Sequence, residues 1–148
     1  MHSLTSWLVH CVWSTKNREP SLTSDLQRGS GRIWAASQKQ NEIKTLAIGR
    51  MADHVHVVLS LPATLSVAKA MQLLKGNSSK WLRETFPKMR SFAWQEGYGA
   101  FSVGVSGLDA TVAYIQNQTE HHRARSFREE YVAMLNRHGF AYDESMFA

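Results

Sequence analysis

Two apolar runs, residues 43–51 (IKTLAIGRM) and 54–61 (HVHVVLSL), are separated only by Ala52-Asp53. No other feature restricts the fold as much. Each run has the length and β-branched content of a strand, and a two-residue connection leaves no room for a crossover. The pair therefore predicts an antiparallel hairpin.

The flanking segments extend this unit. Residues 4–14 (LTSWLVHCVWS) read as a strand, followed by the polar, basic turn Lys16-Asn17-Arg18-Glu19-Pro20. Residues 22–40 carry Leu22, Leu26, Ile33 and Trp34 at helical spacing, with Gly29 and Gly31 interrupting the pattern. Residues 64–85 predict a helix whose stripe is Val67, Ala70, Met71, Leu74, Ser78 and Trp81. A fourth strand is expected around residues 100–105, then a helix over 109–123 with Asp109 as cap. A last helix opens on the capping box Ser126/Glu129 and stops at Gly139. The order β-α-β-β-α-β-α-α predicts an α+β chain: a ferredoxin-like antiparallel sheet with helices on one face, plus two C-terminal helices.

Length and charge narrow the classes. The 148 residues, 43% hydrophobic and 20% charged, suit one domain spanning 1–148. Seventeen Lys and Arg against 12 Asp and Glu give a net +5, a balance that favours polyanionic partners. Cys11 is the only cysteine, which excludes an internal disulfide and a cysteine-rich zinc site. The start lacks the basic, uninterruptedly apolar pattern of a signal peptide, and no apolar stretch is long enough to span a membrane. The expectation is a soluble cytoplasmic protein.

Two segments carry candidate chemistry. Side chains alternate along a strand, so His54 and His56 share a face and can reach one metal ion, while Val55 points away. Tyr114 and Gln118, at i and i+4, share a helix face that His121 continues. A metal held by two imidazoles and an amide oxygen keeps open positions for a scissile phosphate. The phenol of a tyrosine, with an ordinary pKa of ~10, needs a nearby cation to act as a nucleophile.

These residues sit in a longer ordered pattern. It includes residues 12–18 (VWSTKNR), Asp53-His54-Val55-His56, residues 74–81 (LKGNSSKW), residues 94–102 (WQEGYGAFS), residues 114–118 (YIQNQ), Glu120-His121-His122, residues 126–131 (SFREEY) and His138-Gly139. In this pattern the chain resembles the single-tyrosine HUH transposases of small insertion sequences, the IS200-like family. The resemblance runs along nearly the whole chain. It departs at Ala52, where relatives often carry Pro before Asp-His.

The resemblance implies a transposase that binds hairpin ends. Such an enzyme cleaves and rejoins single-stranded DNA through a 5′-phosphotyrosine. It implies Tyr114 as nucleophile, His54, His56 and Gln118 as ligands of Mg²⁺ or Mn²⁺, and a homodimer in which the tyrosine helix can serve the partner. The glycines at 97, 99, 104 and 107 suit a mobile connection to that helix. Candidate DNA contacts are Lys16, Asn17, Arg18, Lys75, Asn77, Ser79, Lys80 and Arg83, with Trp13, Trp94 and Phe101 as stacking platforms. A core position is the favoured reading of Trp81 and Trp94. Other readings are a host-serving tyrosine nuclease acting at repeated hairpins and a catalytically silent nucleic-acid-binding module. Only the silent module has no need of Tyr114.

Overall fold

The computed structural model describes residues 1–23, 42–118 and 126–147. Four strands, β1 (Leu8–Ser14), β2 (Lys44–Arg50), β3 (His54–Ser60) and β4 (Gly99–Val103), form one sheet in the order β2-β3-β1-β4. All three pairings are antiparallel, the ferredoxin-like arrangement that the element order predicts. The β2–β3 hairpin closes on the expected two residues, with Met51 N–H donating to the His54 carbonyl. The described residues also form the helices α1 (Val67–Thr85), between β3 and β4, and α2 (Leu108–Gln116) and α3 (Phe127–Arg137), after β4.

The central strands β1 and β3 are buried almost throughout, because both faces of the sheet are covered. On one face Cys11, Trp13, Val57 and Leu59 pack against Ala70, Met71, Leu74 and Leu82 of α1. This is the main core, and the predicted α1 stripe supplies most of its helical side. Ser66 caps α1, accepting from the Lys69 N–H. Cys11 is fully buried there, and burial pushes its thiol up to about 12. It acts as a small apolar residue.

The opposite face is shared by the two C-terminal helices. Ala47 and Val58 meet Ile115 of α2, while Val12 and Phe101 meet Phe127, Met134 and Leu135 of α3. The His pair belongs to this second face, as strand alternation requires: Val58, two residues beyond His56, lies under α2.

Several expectations change. The cap of α2 is Gly107 rather than Asp109, which sits in the first turn, where a carboxylate favours the helix dipole. The cap of α3 is the expected one, with Ser126 accepting from the Glu129 N–H. Trp13 is buried and not available for stacking on a base; Trp94 is half-buried, donating its Nε1–H to Ser78 Oγ. The helix expected over 22–40 lies, beyond Leu22 and Thr23, outside the described residues, as do His121, His122 and the end of the 109–123 helix. Among the described residues, no helix is long and apolar enough to cross a membrane.

Candidate active site

β3 presents His54 and His56 side by side, both without solvent exposure. Each ring is held from behind. The Nδ1 of His54 lies 2.6 Å from the Asp53 carboxylate, which accepts its proton and turns Nε2 inward. The Nδ1 of His56 lies 2.9 Å from Nε2 of His10, on the neighbouring strand. Phe127 stacks on His54 with centroids 4.4 Å apart. Such partners fix the tautomer and orientation of a ligating imidazole.

Both inward nitrogens converge on one atom, Oε1 of Glu130, at 2.9 Å from His56 Nε2 and 3.6 Å from His54 Nε2. The other oxygen of Glu130 accepts a hydrogen bond from the Tyr114 hydroxyl. One buried carboxylate on α3 thus joins the strand histidines to the tyrosine of α2, within a single chain. Ligand atoms of His54, His56 and Glu130 all lie within 4.8 Å of one another, the spacing that could hold a metal ion.

The electrostatics follow from this packing. Burial alone would raise the Glu130 carboxyl, but hydrogen bonds from His54, His56 and Tyr114 hold it far below the usual carboxylate range. Burial alone would lower His54, but its bonds to Asp53 and Glu130 raise it. Among the described residues, no carboxylate is bonded to His10. Burial, then the His56 ring, pushes it down to about 3, so it is neutral and can serve His56 only as a hydrogen-bond partner.

Glu130 is the residue that sequence reasoning misses. A signal exists: it lies within the buried stripe of α3, three residues after Phe127 and four before Met134. A carboxylate inside an apolar stripe is rarely buried without a partner. Gln118, the expected third ligand, is buried, and its Nε2 donates to the Tyr114 carbonyl at 3.4 Å. Its Cγ packs over Gly49, the register partner of His56 on β2, so it does lie beside the His pair. Gly49 makes that approach feasible. A Cβ there would stand 2.6 Å from the Ile115 carbonyl oxygen and 2.9 Å from Gln118 Cγ.

The expected DNA contacts are divided. Lys16, Asn17 and Arg18 form a short 3-10 turn after β1, with Asn17 and Arg18 both left-handed at φ 57° and 56°. The Asn17 N–H donates to Gln95 Oε1, which ties this turn to the loop before β4. Lys75 reaches the same loop, donating to the carbonyls of Gln95 and Gly97 at 2.8 and 2.7 Å. Lys80 is exposed, Asn77 is half-buried, and Arg83 donates to the Phe92 carbonyl. Ser79 is buried and its hydroxyl donates to the Gly76 carbonyl within the helix. Phe101 is buried as well, stacked on His138.

Comparisons with known proteins agree on one family. Residues 3–118 match the family model described as Transposase IS200 like. The transposase for insertion sequence element IS200 of Salmonella typhimurium is 30% identical over 125 residues, covering 80% of this chain and 81% of that protein. The ISDra2 transposase TnpA of Deinococcus radiodurans is 26% identical over 85 residues, 57% of this chain and 61% of that one. Among solved structures, the REP-associated tyrosine transposase bound to a REP hairpin superposes with a TM-score of 0.64 at 12% identity. The match covers 82% of this chain and 72% of that one. A crystallised candidate transposase from Deinococcus radiodurans R1 also reaches 0.64, at 24% identity, over 80% and 95% of the two chains. At these identities the structural likenesses speak for the fold.

Proposed function

The chain belongs to the IS200-like transposase family, and from that premise we propose that it cleaves and rejoins single-stranded DNA with Tyr114 as the nucleophile. One observation carries this reading: the Tyr114 hydroxyl is bonded to Glu130, and the other oxygen of that carboxylate faces both histidines.

In the proposed step the Tyr114 oxygen attacks the scissile phosphorus and the bond to the 3′ oxygen breaks. The Glu130 carboxylate orients the Tyr114 hydroxyl by accepting its hydrogen bond; the phenol proton passes to water, and the departing 3′ oxygen takes up a proton from water. The products are a 5′-phosphotyrosine and a free 3′-OH. The phosphodiester energy is retained, so the 3′-OH of another strand can reverse the step without ATP. His10, Asp53 and Phe127 act earlier, by orienting the two imidazoles.

The donor set fits a divalent cation: two imidazoles with their outer nitrogens engaged, plus a carboxylate between them. His54, His56 and Glu130 would hold it, with the Gln118 amide beside them as the further ligand expected from the sequence. Mg²⁺ and Mn²⁺ are the candidates, and imidazole ligation suits Mn²⁺ better. The ion would supply Lewis-acid polarisation of the phosphate.

The substrate in this reading is a hairpin end with an unpaired flank, in line with the REP hairpin held by the structural neighbour. Lys16, Asn17 and Arg18, with Lys75, Asn77, Lys80 and Arg83 on α1, are the proposed contact region; Ser79, buried within the helix, is left out of it. Residues 1–148 act as one HUH domain in a cytoplasmic homodimer with two active sites.

Incubation with a labelled hairpin oligonucleotide and Mn²⁺ tests the reading. A covalent protein–DNA adduct is expected. Tyr114→Phe should abolish it while hairpin binding persists; an adduct in that variant would overturn the assignment of the nucleophile. Light scattering tests the dimer.

A further inference from the structure

Beside the reaction centre the two C-terminal helices stand apart over β1 and β4. The gap between them is a cavity of about 400 Å³, within the roughly 300–1,000 Å³ typical of small-molecule sites. Its shape follows from small residues. Ala110 of α2 and Ala133 of α3 line it without filling it, and Phe101 and Val103 of β4 add apolar walls. Tyr114 and the Glu130 carboxylate line it beside the reaction centre, and Arg137 supplies a cation. The Phe101 wall is braced, since its ring stacks on His138 at 4.5 Å and His138 Nδ1–H donates to the Met134 carbonyl.

We propose that this cavity receives one unpaired nucleotide, the one on the 3′ side of the scissile phosphate. The inference rests on Tyr114 being the nucleophile. In an in-line displacement the leaving 3′ oxygen departs on the side of the phosphorus opposite the attacking oxygen. The 5′-side nucleotide therefore lies away from Tyr114. The nucleotide that keeps the phosphate becomes joined to Tyr114 through it, and the cavity that Tyr114 lines is the space within reach of that linkage. Apolar walls with a few polar groups and one cation suit a flat base with a charged 5′ group, pulled out of any stack. Such a site would also retain the covalently held end until a 3′-OH arrives to rejoin it.

The probes are the four deoxynucleoside 5′-monophosphates, each a copy of the proposed nucleotide with its phosphate. They are titrated into the full chain and followed by two-dimensional amide NMR. At least one nucleotide should shift the amides of Val103, Ala110 and Ala133, and inorganic phosphate should not. Ala133→Phe fills the cavity and should remove these shifts; Ala110→Leu fills it from the other helix, should the first variant fail to fold. Absent shifts, shifts reproduced by inorganic phosphate, or shifts that survive both fillings would overturn the proposal. The underlying reading is separable. An adduct in the unsubstituted chain without nucleotide shifts would sink the cavity alone. Shifts without any adduct would sink Tyr114 as nucleophile, and with it the 3′-side assignment.

Discussion

Oε1 of Glu130 lies 2.9 Å from Nε2 of His56, across 74 residues of sequence, and both side chains are buried. A strand residue and a residue of the last long helix thus share one point, and the nucleophile candidate Tyr114 is bonded to the same carboxylate.

That relationship makes Glu130 a candidate ligand as well as a hydrogen-bond acceptor. Glu130→Gln keeps the volume and removes the charge. It should weaken Mn²⁺ binding in calorimetric titration by at least the roughly 10–100-fold typical of losing even an outer partner of a metal site. Gln118→Ala, titrated alongside, ranks the two candidates. Unchanged affinity in Glu130→Gln would remove the carboxylate from the ligand set.

The placement of Tyr114 depends on Gly49. An added Cβ would meet backbone, the Ile115 carbonyl at 2.6 Å, and backbone cannot rotate away. Gly49→Ala should cost about 1–3 kcal/mol as an overpacked contact and reduce adduct formation by displacing α2. At Gly99 an added Cβ would meet the Tyr131 ring at 2.8 Å, a side chain that can turn aside. Gly99→Ala should therefore be milder in denaturant melts. The reverse ranking would contradict this account of how α2 docks.

The start of α3 sets both Phe127 and Glu130. Ser126→Ala removes the side-chain acceptor for the Glu129 N–H, an expected loss of about 0.5–2 kcal/mol. Ser126→Asp, which restores an acceptor, should recover most of it. Thermal melts of the two variants decide the matter; equal melting points would mean that the cap contributes nothing.

His10 predicts a pH dependence of the metal-free chain. Its folded pKa is about 3 against an ordinary 6.5, with burial as the main cause and the His56 ring second. Below 6.5 the unfolded chain binds a proton that the native chain refuses, so stability falls as pH drops from 6.5 towards 3. His54 is shifted upward, so its contribution is complete below 6.5 and lost as pH rises through its folded value. Replacing His10 with Gln should flatten the decline on the acid side of 6.5. Urea melts across this range measure it, and a decline identical to that of the unsubstituted chain would exclude His10 as its source.

Much of this protein is legible from local geometry. A two-residue connection dictates the hairpin, and strand alternation places His54 and His56 on one face, because both rules depend only on neighbouring residues. The α1 stripe and the Ser126 cap follow for the same reason. Glu130 stays hidden in the sequence because its meaning comes from a contact 74 residues away; in its own helix it is one of two adjacent acidic residues. The burial of Trp13 is equally non-local, since β1 lies in the middle of the sheet and is covered on both sides. The sequence by itself determined that His54 and His56 share one strand face and that Tyr114 and Gln118 share one helix face, because both follow from local periodicity. Only the tertiary structure decided that a carboxylate joins them within one chain, because that depends on how closely α2 and α3 settle over Gly49 and Gly99 on one sheet face.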